Sequence, residues 1–276
     1  MDYLFNNKAY PIVTSETDVI AALQEDNGTT RAVILRNEAA WQAESQTFGD
    51  GITMKDDVLA AWAYVEDDPH GRFPRKIAGE VSYLDVVNAA DVLKEAGEAN
   101  IIVDPQASRL FSDKVNSQRE VFQRVHDACF GKQEDESIVG HLMFTPKHGE
   151  GRSPMMHVDN VRLTLHTTFA GATLHLLNGM TSDKQWDYMN ASKSGTVMRG
   201  QKDQNDKELT ILTQEYRDEF SSAKLGDAIF MKGQRGLDLE DPLIRDVMAV
   251  HASSPYISSY GQAGAIFYSK KTLDIG

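Results

Sequence analysis

A histidine and an aspartate stand two positions apart in the sequence, as His157 and Asp159. Side chains two residues apart in an extended chain point in the same direction, so both would face one site. An imidazole nitrogen and a carboxylate oxygen together suit a borderline divalent metal, and a second imidazole would complete the facial triad of non-haem Fe(II) proteins. His251, which ends the apolar run of residues 248–251, can supply that imidazole. We therefore predict that His157, Asp159 and His251 bind one divalent metal, most simply Fe(II), and act in catalysis.

Short β-rich segments separated by turn residues follow residue 135 and must position these three side chains. Residues 161–168 alternate between apolar and polar side chains, which is the pattern of a strand with one apolar face. Short strands without helices between them favour an antiparallel sandwich or barrel of the jelly-roll type. In that fold the His-x-Asp pair and the distal histidine lie on facing strands at the barrel mouth. The predicted strands cover residues 138–144, 161–168, 172–177, 228–232, 248–251 and 265–269.

The first half of the chain has mainly helical patterns. Residues 15–24 begin with a Ser-Glu-Thr-Asp capping signal, and residues 114–130 form the longest helical candidate, with apolar residues along one side. Further predicted elements are helices over residues 37–43, 54–65 and 83–96 and a strand over residues 32–35.

The two halves together predict an α+β protein. Residues 136–276 would form an antiparallel jelly-roll domain that binds the metal. Residues 1–135 would form a mainly helical N-terminal extension packed on the outer sheet of that domain.

The charge balance limits the partners. The chain of 276 residues carries 28 Lys and Arg against 41 Asp and Glu, a net charge of −13, with no basic run longer than two residues. Such a surface repels a phosphate backbone, so we do not expect nucleic acid as a partner. No segment approaches the ~18 consecutive apolar residues of a membrane span, and the N-terminus lacks the pattern of a signal peptide. We therefore expect a cytoplasmic protein that binds a small-molecule substrate.

The run His157-Val-Asp-Asn-Val-Arg162-Leu resembles the signature of the DUF1826 family of bacterial proteins. The likeness continues in Gly226-Asp227, Lys232-Gly233 and Val250-His251 and covers about residues 138–270. The family resembles the double-stranded β-helix superfamily that includes Fe(II)/2-oxoglutarate dioxygenases. The resemblance implies a double-stranded β-helix and O₂-dependent oxidation of an unidentified organic substrate, with Fe(II) and 2-oxoglutarate as cofactors.

The residues after the distal histidine depart from the family pattern. The family has an arginine there, where a dioxygenase would hold the distal carboxylate of 2-oxoglutarate, and this chain has Gly261-Gln-Ala-Gly264. Arg162 and Lys232 are the cations of the matched motifs, so we predict that they bind the cosubstrate instead. Arg162 could alternatively pair with an internal carboxylate that holds the sheet. Lys232 could be a lysine at a strand end whose ammonium group reaches solvent.

Two further histidines and a competing metal leave alternatives open. If residues 170–171 form a two-residue hairpin turn, His166 would lie opposite His175 with their Cβ atoms ~5 Å apart, close enough to share a metal. Alternatively, both histidines are structural. The genes of the resembling family are associated with zinc-responsive regulation. The alternative function is therefore a zinc-binding protein of metal homeostasis that uses the same three ligands, and a cupin-like small-molecule binder is a third.

Overall fold

In the computed structural model, the described residues are 10–25, 30–36, 52–54, 61–62, 82–83, 101–103, 105–132, 136–145, 158–170, 173–176, 223–233, 249, 251–252 and 262–271. Two helices lie in these ranges, α1 (Glu16–Gln24) and α2 (Pro105–Phe130). The strands in these ranges are β1 (Ile12–Val13), β2 (Ala32–Leu35), β3 (Ile52–Met54), β4 (Ala61–Trp62), β5 (Ser82–Tyr83), β6 (Ile101–Val103), β7 (Glu136–Thr145), β8 (Leu163–Ala170), β9 (His175–Leu176), β10 (Ala228–Lys232), β11 (His251–Ala252) and β12 (Gln262–Lys271).

Eight of these strands form one large sheet in the order β1-β2-β10-β8-β12-β7-β4, with β5 also paired to β7. β1 runs parallel to β2, and the other pairings in this sheet are antiparallel. β9 and β11 pair in a second sheet, and β3 and β6 pair separately. From β8 to β12 the chain alternates between the large sheet and the second sheet. This alternation is the winding of a sandwich or jelly roll, and it agrees with the antiparallel architecture predicted for the C-terminal half.

The large sheet and the second sheet enclose an apolar core. Because successive side chains of a strand point to opposite faces, Ile229 and Met231 of β10 share one face of the large sheet. They pack in one buried cluster with Leu174 and Leu176, at β9, and with Ala249, which precedes β11. The face of the large sheet that looks toward the second sheet is called the inner face below.

Helix α2 covers the opposite face of the large sheet, called the outer face below. Its buried Phe122 ring lies 6.5 Å, centroid to centroid, from the ring of Phe267 in β12. The Phe267 ring occupies the space above Gly140 of β7, where an added Cβ would lie 2.8 Å from a ring carbon. A buried hydrogen bond of 2.7 Å from Gln118 Nε2 to Thr167 Oγ1 joins the helix to β8. The helix is therefore attached to the sheet by apolar packing and by polar contacts.

The predicted start of the first helix agrees with the structure, and the predicted start of the long helix does not. Helix α1 begins at Glu16, and the hydroxyl of Ser15 accepts a hydrogen bond of 3.2 Å from the Asp18 amide, as the capping pattern predicts. Helix α2 begins at Pro105, nine residues before the predicted start at residue 114. Neither helix is long and apolar enough to cross a membrane.

The helix predicted over residues 54–65 is wrong at its described residues, Met54, Ala61 and Trp62, which lie in strands, and its other residues lie outside the described ranges. Ala61 and Trp62 form β4, which pairs with Phe144 and Met143 of β7. Pairing with a strand far away in sequence outweighs the weak local preference that the helical pattern expressed. Tyr83, the first residue of another predicted helix, likewise lies in β5 beside β7. Most of that helix and the predicted helix over residues 37–43 lie outside the described residues.

Strands from the first 135 residues join the large sheet beside strands of the second half. β2 pairs with β10, and β4 and β5 both pair with β7. The sheet therefore crosses the boundary between the two predicted parts of the chain.

Candidate metal centre

Three potential metal ligands converge at the inner face. Asp159 precedes β8, His166 lies within β8, and His251 is the first residue of β11. One donor atom from each, a carboxylate oxygen or a ring nitrogen, lies within 4.8 Å of the other two. His251 Nε2 is 3.5 Å from Asp159 Oδ2, and the two imidazole rings are 5.7 Å apart between centroids. The large sheet and the second sheet thus contribute to one cluster.

Strand register places His166 at this cluster. His166 is paired with Ile229 of β10 and Ile266 of β12, and Ile229 belongs to the inner core. The neighbouring Thr167 bonds to Gln118 of helix α2 and therefore faces outward. Since faces alternate along a strand, His166 and Thr164 share the inner face.

The segment from Asp159 to Arg162 is held close to the end of β10. The hydroxyl of Thr164 donates a hydrogen bond of 2.7 Å to Asp159 Oδ2, which orients the carboxylate. The Gly233 amide donates to the carbonyl of Arg162 at 3.0 Å. A Cβ at position 233 would lie 2.1 Å from the Val161 carbonyl oxygen and 2.5 Å from that of Asp159. Glycine is therefore required here because of this close backbone approach.

The orientation of His251 is fixed by its own strand. The side chain is buried, and Nδ1 lies 3.1 Å from the carbonyl oxygen of Ala249. A carbonyl oxygen only accepts hydrogen bonds, so Nδ1 carries the proton and donates. Nε2, the atom that faces Asp159, is then the ring nitrogen whose lone pair can bind a metal.

This donor set suits a divalent transition metal. Two imidazoles and one carboxylate are the ligands of non-haem Fe(II) sites, which leave further coordination positions open. Ligand atoms about 2.1 Å from an octahedral ion lie roughly 3 Å apart when adjacent and about 4.2 Å apart when opposite. The donors of Asp159, His166 and His251, all within 4.8 Å of one another, need only small side-chain movements to share one ion.

The structure brings together two of the three predicted ligands. Asp159 and His251 meet as described, and His157 lies outside the described residues, so its place in the centre stays a prediction. His166 was not predicted as a partner of Asp159 and His251. The sequence did contain a signal for it. Thr164 and His166 are two residues apart in a predicted strand that follows Asp159 closely, so their side chains lie on the same face of that strand.

The hairpin that would pair His166 with His175 is wrong. β8 continues to Ala170, which pairs with Ala263 of β12, and His175 pairs with Ala252 of β11 in the second sheet. The chain leaves the large sheet after β8, as the winding between two sheets requires. His166, paired with Ile229 and Ile266, and His175, paired with Ala252, are therefore not cross-strand neighbours.

The two cations predicted to bind 2-oxoglutarate lie on the outer side of the sheet. Lys232 follows the inward-facing Met231 and pairs with Leu163. Burial lowers the pKa of Lys232, and the nearby Cys129 of α2 opposes that shift. Arg162 Nε lies 3.6 Å from Glu136 Oε1. A role in binding 2-oxoglutarate at the centre stays a prediction that these placements do not favour.

The Gly226-Asp227 motif has a structural role in the turn before β10. Gly226 has a φ of 81°, a conformation that favours glycine. The buried Asp227 carboxylate accepts from the Lys224 amide at 2.8 Å and from Arg36 at 2.7 Å, Arg36 binding it through both Nε and a terminal nitrogen. The turn thus ties the start of β10 to the end of β2.

Comparison with solved structures identifies oxygenases among the structures that the chain resembles. The dioxygenase for auxin oxidation 1 from Arabidopsis thaliana, in a complex with 2-oxoglutarate, aligns over 96% of this chain and 93% of its own, with 9% identity and a TM-score of 0.42. A prolyl-4-hydroxylase from Pseudomonas putida aligns over 93% and 99%, with 6% identity and a TM-score of 0.40. The protein IDO from Bacillus thuringiensis aligns over 93% and 95%, with 9% identity and a TM-score of 0.42.

No protein-family model and no curated protein matches the chain. The resemblance to the DUF1826 family therefore stays a prediction from the motifs. Each of these TM-scores is below 0.5, so the similarities carry no argument about function. The function proposed below is argued from the chain's own residues.

Proposed function

We propose that the chain is a non-haem Fe(II)-dependent oxygenase with a double-stranded β-helix fold, which uses 2-oxoglutarate to oxidise a small organic substrate. The observation that carries this proposal is the convergence of Asp159, His166 and His251 at the inner face. Among proteins, a carboxylate with two imidazoles and open coordination positions is typical of Fe(II) oxygenases. A structural zinc site would instead have four protein ligands in a closed tetrahedron.

The residues around the centre would prepare it for a metal before the metal binds. The hydrogen bond to Ala249 fixes the tautomer of His251 with Nε2 as the donor atom. The hydrogen bond from Thr164 holds one carboxylate oxygen of Asp159, so that the carboxylate does not rotate freely. His157, two residues before Asp159, would add a third imidazole or take the place of His166. When bound, Fe(II) would supply O₂ activation, with 2-oxoglutarate as the source of electrons.

The inner core would keep bulk water away from the centre. Leu174, Leu176 and Met231 are buried and belong to the cluster between the two sheets. A surrounding of low polarity strengthens the interactions of charged groups within it and suppresses side reactions of reactive intermediates. The substrate is therefore expected to bind with its reacting carbon against the apolar wall beside Asp159 and His251.

Metal binding and cosubstrate use should be tested separately, because the predicted cations lie away from the centre. Protein purified anaerobically is titrated with Fe(II) or Co(II), and 2-oxoglutarate decarboxylation is then measured. Asp159→Ala and His251→Ala should each abolish stoichiometric metal binding while the fold is retained. Full metal occupancy in either variant would refute the centre.

Two further variants identify the third ligand. Loss of binding in His166→Ala with retention in His157→Ala would assign His166, and the reverse result would assign His157. Thr167→Ala is the matched control, since Thr167 is the next residue of the same strand and faces helix α2. A wild type that binds metal stoichiometrically without decarboxylating 2-oxoglutarate would refute the dioxygenase. Zinc binding without turnover would then support the metal-homeostasis alternative.

A further inference from the structure

A buried polar cluster lies on the outer face, on the opposite side of the sheet from the candidate metal centre. Glu136, at the start of β7, has a side chain that is only 3% exposed. Its Oε1 lies 3.6 Å from Arg162 Nε, and its Oε2 lies 3.4 Å from His126 Nε2 of helix α2. The carboxylate is therefore bracketed by a guanidinium group on one oxygen and an imidazole on the other.

Packing fixes His126 tightly against Glu136. The imidazole is 2% exposed and lies between Phe122 and Phe130, with ring centroids 5.9 and 5.3 Å away. Neither nitrogen of His126 and neither carboxylate oxygen of Glu136 makes a hydrogen bond within the described part of the chain. A buried carboxylate is costly unless charges of opposite sign compensate it, and Arg162, which is always protonated, supplies such a charge.

Arg162 connects this cluster to the metal centre through the backbone. It is the third residue after Asp159 and ends the segment that passes over Gly233. Its carbonyl accepts from the Gly233 amide, and its side chain, 26% exposed, reaches Glu136. Both the main chain and the side chain of Arg162 are thus held, which limits movement of the segment that carries Asp159.

We propose that Glu136 is a positioning residue for the metal centre: its buried carboxylate holds Arg162 from the outer face and thereby fixes the segment that presents Asp159. This inference rests on the proposed metal centre. It also gives Arg162 a role other than binding 2-oxoglutarate, namely to hold the segment of residues 159–162 through its contact with Glu136. Partners behind metal ligands set the geometry of those ligands, and their loss commonly weakens metal affinity.

Co(II) binding tests the proposal without requiring turnover. Apo protein is titrated with Co(II), and the visible absorption of the bound ion reports both the affinity and the coordination geometry. Glu136→Gln keeps the shape of the side chain and removes its charge. We expect roughly tenfold weaker binding and an altered spectrum, which is the lower end of the effect of partners behind metal ligands. Glu136→Asp, which keeps the charge, should restore part of the affinity.

A double-mutant comparison separates positioning from general destabilisation. If Glu136 acts through Arg162, then Arg162→Met should reproduce the loss of Co(II) affinity, and the double variant should be no weaker than either single variant. Gln118→Ala is the matched control, because it breaks another buried polar contact between α2 and the sheet, with the outward-facing Thr167, and leaves the segment of residues 159–162 untouched. It should lower thermal stability and leave the Co(II) affinity and spectrum unchanged.

The outcomes distinguish this inference from the proposed function. Absence of Co(II) binding by the wild type would overturn both. Binding by the wild type with an unchanged affinity and spectrum in Glu136→Gln would overturn the inference alone. Additive losses in the double variant would also overturn it. If Glu136→Gln does not fold, Arg162→Met, whose side chain is partly exposed, makes the same test, and wild-type Co(II) affinity in that variant would overturn the inference.

Discussion

Replacing Gly233 with alanine tests whether the close backbone approach at the end of β10 positions Asp159. The added Cβ would lie 2.1 and 2.5 Å from the carbonyl oxygens of Val161 and Asp159. Ordinary contacts of this kind are about 3.5 Å or longer, so the ligand segment must retreat by roughly 1 Å. Backbone atoms held by a hydrogen bond cannot rotate away as a side chain can. Asp159 should therefore move relative to His251.

The expected loss of stability follows from these contacts. Overpacking costs about 1–3 kcal/mol, and loss of the hydrogen bond from the Gly233 amide to Arg162 costs about 1 kcal/mol more. The smaller conformational freedom of alanine in the unfolded chain returns about 0.4–1 kcal/mol. Gly233→Ala should thus lower the free energy of unfolding by about 1–3.5 kcal/mol, and displacement of Asp159 should weaken metal binding by at least about tenfold.

Gly140→Ala is the matched control for this experiment. Its added Cβ would lie 2.8 Å from a carbon of the Phe267 ring, on the outer face. It should lower stability by about 1–2 kcal/mol and leave metal affinity unchanged. Urea denaturation and Co(II) titration of both variants measure the two quantities. Wild-type metal affinity in Gly233→Ala, or an equal loss in both variants, would refute the reasoning.

Three further predictions concern stability and reactivity away from the centre. Arg36→Ala should lower the free energy of unfolding by about 2–3 kcal/mol, because it leaves the Asp227 carboxylate, which is 1% exposed, without its bidentate partner. A loss below about 1 kcal/mol in urea denaturation would contradict this. The hydrogen bond from Arg124 lowers the pKa of Glu16, so this pair should stabilise the fold above the ordinary glutamate pKa of about 4.3 and cease to do so as the pH falls through the lower folded-state pKa. The side chains of Arg124 and Glu16 are 54% and 35% exposed, so the difference between wild type and Arg124→Ala should stay below about 1 kcal/mol at neutral pH and vanish in acid. Burial raises the pKa of the Cys129 thiol, so a thiol reagent at about pH 8 should modify the native protein more slowly than the urea-unfolded chain, and equal rates would contradict this.

Local patterns in the sequence determined several elements of the fold. The cap at Ser15 and the helix after it, the strand Ala32–Leu35 and the strand Ala228–Lys232 all agree with the structure. Such elements depend on neighbouring residues, through capping hydrogen bonds and through runs of apolar β-branched side chains, and this information is contained in a short window. The residue types that could bind a metal, and the order in which they occur, were likewise visible in the sequence.

Only the tertiary structure decided which side chains face one another. His166 lies beside Asp159 and His251 because β8 pairs with β10 and β12 while β9 crosses to the second sheet. Lys232 lies one residue after an inward-facing methionine and therefore points to helix α2. The face of a strand is set by the strands and helices that cover it, and these come from distant parts of the chain. Local sequence patterns contain too little information about such pairings. Which residues form the metal centre could therefore be seen only once the strands were paired into the two sheets.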